Sequence, residues 1–205
     1  MPRTLTLVAP LLVLCAIAAP IAAQSGERAT GFTAAERSAL LAGELVRRDG
    51  SRLEGGRMLY GGASWQHIDR PLDDVWAIAT DAAALTRLIP SLDSVRVIEE
   101  HDDARLLELH HSYGISEARY AVTMRFDHGA HVLRFSLDPS RPHDIRAGRG
   151  HLQLTRYHGG TIVEWSMLVD PGGGIVTDLV GPMLSEWLLQ PPRCMRDELM
   201  GAPSC

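Results

Sequence analysis

The stretch that decides the fold is Ile68-Asp69-Arg70-Pro71-Leu72-Asp73-Asp74-Val75-Trp76-Ala77-Ile78-Ala79-Thr80-Asp81, running on to Leu88-Ile89-Pro90. A strand-like run stops at a proline and becomes an amphipathic helix. Proline holds φ near the helical value and has no N–H to lose at a first helical position, so Pro71 predicts a helix start. Asp73 and Asp74 then fall in the first turn, where the positive helix end favours carboxylates. Leu72, Val75, Trp76 and Ala79 recur at three and four, which is one helix face. Asp81 is a predicted N-cap for a second short helix with Leu85, Leu88 and Ile89 as its apolar stripe, and Pro90 ends it.

Working outward to the N-terminal side, Thr33-Ala34-Ala35-Glu36 fits a capping box, and a short helix is expected to about Leu41. Residues 43–47 read as a strand, with Asp49-Gly50 as a turn signal. The run from Arg57 to Asp69 is the next strand, and Gly61-Gly62 inside it predicts a bend or bulge.

On the C-terminal side, residues 93–100 and 105–113 read as a hairpin. The run from Glu117 to Phe126 alternates cleanly, with Ala118, Tyr120, Val122, Met124 and Phe126 on one face and Arg119, Thr123 and Arg125 on the other. A sheet with one buried face requires such alternation. Further strands are expected over 131–137, 145–157 and 161–169. They place Leu133, Phe135 and Leu137 inward, and Val163, Trp165 and Met167 on one face. Pro171-Gly172-Gly173-Gly174 then leads to a helix whose apolar residues, Val176 to Leu188, recur at three and four. Pro191-Pro192 should kink or interrupt it before a final segment from Arg193 to Leu199.

The first residues carry a different signal. Met1-Pro2-Arg3 has one positive charge, an apolar run follows from Leu5 to Ala19, and small residues close it, which is the pattern of a secretory signal peptide. Cleavage is expected after Ala23. Leu14 before Cys15 does not fit a lipoprotein site. Removing 23 of the 205 residues leaves 182, enough for one domain with a sizeable core. Losing Arg3 takes the formal net charge from −5 to −6. All 20 basic residues are arginine, and no basic stripe points to nucleic acid. The organisation expected is a signal peptide over 1–23, a leader over 24–32, a short helix over 33–42, one domain over 43–200 and a tail over 201–205. The expected localisation is outside the cytoplasm, in a bacterial periplasm or the extracellular medium. There a cysteine pair invites a disulfide, and Cys194 with Cys205 is the candidate; two free thiols near a frayed end is the alternative.

The order strand, two short helices, run of antiparallel strands and long C-terminal helix resembles the START-like helix-grip superfamily, also called SRPBCC, of polyketide cyclase/dehydrase and lipid-transfer type. The resemblance rests on that order, on the Pro71/Val75-Trp76 segment, and on the 161–169 strand feeding the last helix. It covers about 43–200. The extra N-terminal helix and strand, the export signal and the double proline depart from it. The resemblance implies an α+β fold in which a curved antiparallel sheet wraps a long C-terminal helix around a cavity for an apolar ligand.

With the apolar strand faces turned inward, the candidate ligand-binding residues are His111, Tyr113, Tyr120, Met124, Trp165 and Met167, with Met183 and Trp187 facing them from the helix. Aromatics and methionines with a few polar tips suit an apolar ligand with one polar group; an ordinary filled core is the plain alternative. His101, His110 and His111 do not form a metal set, because neighbours on a strand face opposite sides; as a group they read as exposed polar histidines. Glu164 is expected to face solvent. Gly148-Arg149-Gly150 lacks the third glycine of a dinucleotide fingerprint, and the glycines at 172–174 read as a hinge. No catalytic residue, cofactor or metal is assigned. The function expected is sequestration or carriage of a lipid, quinone or polyketide-like molecule, with only transient membrane contact and no nucleic-acid partner. The alternatives are a cyclase/dehydrase-like enzyme using His111 with Tyr113 or Tyr120, and an envelope scaffold that binds no ligand.

Overall fold

Gly55 and Gly56, both at positive φ, turn strand β1 (Val46–Glu54) back into β2 (Arg57–Ile68) with Glu54 paired to Arg57. A type I′ two-residue hairpin needs positive φ at both central positions, which glycine supplies without steric cost. The turn expected at Asp49-Gly50 is therefore not there. Those residues lie mid-strand, opposite Gly62 and Gly61. The computed structural model of the chain describes residues 31–113, 116–172, 184 and 186–202, with the backbone alone at 113 and 116.

The elements that follow are α2 (Leu72–Ala79), a 3-10 turn (Ala82–Ala84), α3 (Leu85–Leu88), β3 (Leu92–Glu100), β4 (Ala104–Tyr113), β5 (Ser116–Asp127), β6 (Val132–Leu137), β7 (Ala147–Tyr157), β8 (Gly160–Asp170) and α4 (Pro191–Met200). The first helix, α1 (Ala34–Leu41), precedes them all. Its capping box forms as the sequence predicts: Glu36 N–H donates to Thr33 Oγ1 at 3.1 Å, and Thr33 N–H donates to Glu36 Oε2 at 2.7 Å.

The eight strands form one antiparallel sheet in the order β1-β2-β8-β7-β6-β5-β4-β3. The connection through α2 and α3 carries the chain from β2, inside the sheet, to β3 at its far edge. The remaining strands then return one by one until β8 pairs with β2. Pro71 is the N-cap of α2, one residue before the expected first position, and Leu72, Val75 and Ala79 are buried. Asp81 Oδ1 accepts the Ala83 N–H at 2.9 Å, as an N-cap should. Ile89 leaves the helical region just before Pro90.

Trp76, the aromatic of the opening segment, faces the β5–β6 turn. Its indole N–H donates to His128 Nδ1 at 3.2 Å, and His131 meets the ring edge-on at 5.4 Å. Trp76 thus ties α2 to the sheet and does not line the interior cavity.

The main core lies between the inner sheet face and the helices. Ile68, Val75, Leu88, Leu107, Leu133, Val163 and Leu189 are among its most buried members. A second, smaller cluster sits on the other face: Leu40 of α1 packs with Val46 and Ile162, and Phe32 meets Trp65 edge-on at 5.5 Å. The extra N-terminal helix therefore covers one part of the outer sheet face.

Gly61 and Gly62 permit close strand approach without breaking register. A Cβ at Gly61 would lie 1.9 Å from the Met167 carbonyl oxygen, and one at Gly62 would lie 2.3 Å from that of Arg48. Pairing on both sides of β2 runs through them unbroken, so the pair makes no bulge. Among the described residues, the register shifts lie in β3, between Leu92 and Ser94 and between Val97 and Glu99.

Residues 184 and 186–188 are helical, a turn falls at Leu189, and α4 restarts with both prolines in its first two positions. There their missing N–H groups cost no intrahelical bond. The double proline thus interrupts the C-terminal helical region as predicted. The stretch over which the long helix was expected to begin, residues 173–183, lies outside the described residues.

Candidate functional site: an apolar cavity with one buried polar pair

Inward alternation along the strands brings one set of side chains to a common interior. Leu107, Leu109 and His111 come from β4, and Tyr120, Val122 and Met124 from β5. Leu133 and Phe135 come from β6, Gly148 and Leu152 from β7, and Trp165 and Met167 from β8. Leu85, Leu88, Ile89 and Pro90 close one side, and Trp187, Leu188, Pro191 and Met195 close another. These residues surround a cavity of about 80 Å³. That exceeds the space one water needs but falls short of the roughly 300–1,000 Å³ typical of ligand pockets.

Trp165 organises the wall beneath the helical residues. Its indole N–H donates to the Leu188 carbonyl at 2.8 Å, joining β8 to the 186–188 stretch. Its ring stacks on Phe135 with centroids 4.9 Å apart and planes 25° from parallel. Phe135 reaches that position because Gly150 has no side chain: a Cβ there would sit 2.5 Å from Phe135 Cζ and 2.0 Å from the Ser166 carbonyl oxygen. Gly148 and Gly150 thus lie in a strand, where they make room for the cavity lining.

His111 and Tyr120 are the buried polar exception. His111 is 4 % exposed and Tyr120 is 6 % exposed. The phenol oxygen lies 2.9 Å from His111 Nε2, and the rings stack with planes 8° apart. The strands create the pair by register: Leu109 lies opposite Tyr120, and His111 is two residues further along the same face of β4. Burial pushes the His111 pKa down to about 4, against the opposing pull of the Asp93 carboxylate; the His110 charge lowers it further. The imidazole is therefore neutral at neutral pH. A neutral imidazole and a phenol are each both donor and acceptor, the chemistry that recognises a carbonyl, hydroxyl or carboxyl group.

The structure places the predicted residues as follows. His111, Tyr120, Met124, Trp165, Met167 and Trp187 line the cavity, Trp187 from its rim with 36 % exposure. Met183 and the Tyr113 side chain lie outside the described residues. So does Cys205, whereas Cys194 is fully buried in α4. The reading of all three histidines as exposed needs correction at His111. His101 is exposed and His110 faces outward, 3.4 Å from Glu117, but the alternation that sends His110 out sends His111 in. Glu164 lies on the outer face, where it accepts a hydrogen bond from His151 at 3.2 Å. That bond holds its carboxyl below the usual range despite partial burial. No group of metal-ligating side chains gathers among the described residues.

Leu107, Leu109, Leu152, Ile89 and Met195 also line the cavity but were not singled out as site residues. Their signal was present in the alternation of β4 and β7 and in the apolar stripe of α3. Selecting for aromatics and methionines passed over the leucines that make most of an apolar wall. Met195 belongs to a helix that restarts at the double proline, so the period of the preceding helix does not carry through to it.

A family model described as polyketide cyclase/dehydrase and lipid transport matches residues 64–190. No curated protein gives a match. Among solved structures, a STAR-related lipid transfer protein from Xanthomonas axonopodis (fragment 25–204) superposes with a TM-score of 0.60 at 18% identity. The match covers 75% of this chain and 98% of that one. A protein from Thermus thermophilus has a TM-score of 0.60 at 15% identity, covering 68% of this chain and 96% of its own. The Zhui aromatase/cyclase of Streptomyces sp. R1128 has a TM-score of 0.54 at 12% identity, covering 77% and 93%. At these identities the likeness is one of fold.

Proposed function

This chain belongs to the polyketide cyclase/dehydrase and lipid transport family, and we propose that it is an exported protein that sequesters or carries an apolar small molecule in its interior cavity. The ligand class is a lipid, quinone or polyketide-like compound with one polar group. The observation that carries this reading is the cavity lining: apolar and aromatic side chains on every side, with His111 and Tyr120 as the buried hydrogen-bonding pair. Each Å² of apolar ligand surface taken from water stabilises the complex by about 25 cal/mol. A ligand burying about 300 Å² would thus gain on the order of 7 kcal/mol before the costs of association. His111 and Tyr120 would orient the ligand by its polar end. Export rests on the pattern of residues 1–23.

The cavity must widen to admit such a ligand. The helical residues 186–188 and α4 are the natural moving wall, because they meet the sheet side of the cavity through side chains and the Trp165–Leu188 hydrogen bond.

A second reading, catalysis of a cyclase or dehydrase type, is favoured by the same pair. A neutral imidazole hydrogen-bonded to a phenol in apolar surroundings has the parts of an acid–base couple. Two of the structural neighbours are named respectively for lipid transfer and for aromatase/cyclase activity, so the fold accommodates either use.

Native mass spectrometry of the protein purified from its own host's envelope tests the carrier. A co-purifying apolar compound is expected, and a clean unliganded mass would count against carriage. Trp165→Ala removes the Phe135 stack and the bond to Leu188, and is expected to lower retention of that compound at least about tenfold. Retention unchanged by this substitution would place the ligand elsewhere. A bound compound returned chemically altered by the wild type, but not by His111→Phe, would favour the enzyme.

A further inference from the structure

The outer sheet face, opposite the cavity, carries a feature that apolar ligand binding does not use. Arg125, Arg134, His151 and Ser166 are directly cross-strand to one another on β5, β6, β7 and β8. Thr123, Ser136 and Arg149 form the neighbouring row in the same register. Together these residues line a surface depression of about 350 Å³.

The charges in this depression are not balanced. Arg149 is engaged by Glu54, its guanidinium 2.6 Å from Oε1 and 2.7 Å from Oε2. Glu164 is turned to His151. Asp127, next along this face of β5, accepts the Ala130 N–H with Oδ1 at 2.9 Å. Among the described residues, Arg125 and Arg134 have neither a carboxylate nor a hydrogen-bond partner. Like charges directly opposite on a sheet destabilise it. α1 and its apolar cluster cover the outer face around Val46 and Ile162, and the arginine pair lies on β5 and β6, away from them.

We propose that this depression is a binding site for a small phosphate-type oxyanion, held by Arg125 and Arg134 with the hydroxyls of Thr123, Ser136 and Ser166 around it. Guanidinium groups match the oxygens of phosphate in planar pairs, and neighbouring hydroxyls donate to the oxygens that remain. An anion there neutralises the cross-strand repulsion, so binding and sheet stability are linked. Phe135 borders both the depression and the cavity, but the arginines and hydroxyls invoked here do not line the cavity, and the proposal does not rest on the carrier reading.

Isothermal titration of the signal-processed full chain with inorganic phosphate at low ionic strength tests the proposal. Saturable binding is expected in the wild type, at least about tenfold weaker in Arg125→Gln/Arg134→Gln and within about twofold of wild type in Arg156→Gln, an exposed arginine outside the depression. The double variant is expected to melt no lower than the wild type without phosphate, because a repulsion has been removed. Equal phosphate affinity in the double variant, or no saturable binding in the wild type, would overturn the proposal. So would binding to phosphatidylglycerol vesicles that free phosphate does not compete away, since the face would then be a membrane-docking surface.

Discussion

His111 shows how one buried side chain couples the cavity to pH. Its pKa is lowered from an ordinary value near 6.5 to about 4, chiefly by burial. Above about pH 6.5 both folded and unfolded chains hold it neutral, and the group contributes no pH dependence. Between about 6.5 and about 4 the unfolded chain binds a proton that the folded chain refuses, so stability falls as pH falls. Between about pH 7.5 and about pH 5 the loss should be about 2 kcal/mol. Urea unfolding of wild type and His111→Phe at those two pH values measures it: the wild type should lose about 2 kcal/mol more than the variant. Parallel losses would mean that His111 is not buried as a neutral group. Strand alternation made the inward direction of His111, Tyr120 and Met124 legible in the sequence. The His111–Tyr120 hydrogen bond was not legible, because it depends on Leu109 lying opposite Tyr120, and a one-residue slip would have parted the rings.

At the scale of elements, the β1–β2 hairpin shows where local signals compete. Asp49-Gly50 and Gly55-Gly56 are both acceptable turn sequences, and only the second becomes a turn. The choice fits Gly61 and Gly62, where a Cβ would run into the backbone of β8 and of β1. Gly61 faces the Met167 carbonyl, Gly62 faces the Arg48 carbonyl, and this register leaves Gly50 opposite Gly61 within the strand. The two facing glycines should therefore respond differently to the same change. Gly61→Ala, at φ 146° with a Cβ 1.9 Å from a backbone oxygen, should destabilise the protein by at least about 2 kcal/mol. Gly50→Ala meets no atom within 4 Å and should stay within about 0.5 kcal/mol of wild type. Equal effects in chemical denaturation would show that the register is not the one described. Helix starts and stops were easier to read than this turn. Thr33, Asp81, Pro90 and Pro191-Pro192 act on backbone within a few residues of themselves, whereas Gly61 answers to a strand more than a hundred residues away.

At the scale of the whole molecule, the family and the antiparallel sheet were legible from the order of elements, but the size of the interior was not. Cavity volume depends on how far the helical wall stands from the sheet, a balance of side-chain volumes that no periodicity encodes. At about 80 Å³ the interior is too small for the ligand class proposed, so binding requires it to widen, and the helical wall is where it is expected to give. On the sheet side, β8 pairs with β2 over 161–169 and with β7 over 160–170; on the helix side, the helical residues 186–188 and α4 are divided by the break at Leu189–Gln190. Opening should therefore cost less there than anywhere in the central sheet. Hydrogen exchange of the ligand-free protein is expected to be at least about tenfold faster for amides in 186–195 than for those in β8. Ligand should narrow that gap by slowing the helical amides, because it would bridge the helical wall and the sheet and so stabilise the folded wall. Protection of 186–195 equal to that of β8, with no change on adding ligand, would mean that the wall does not move. The cavity would then be a packing void of the core, and the apolar-carrier reading would lose its route of access.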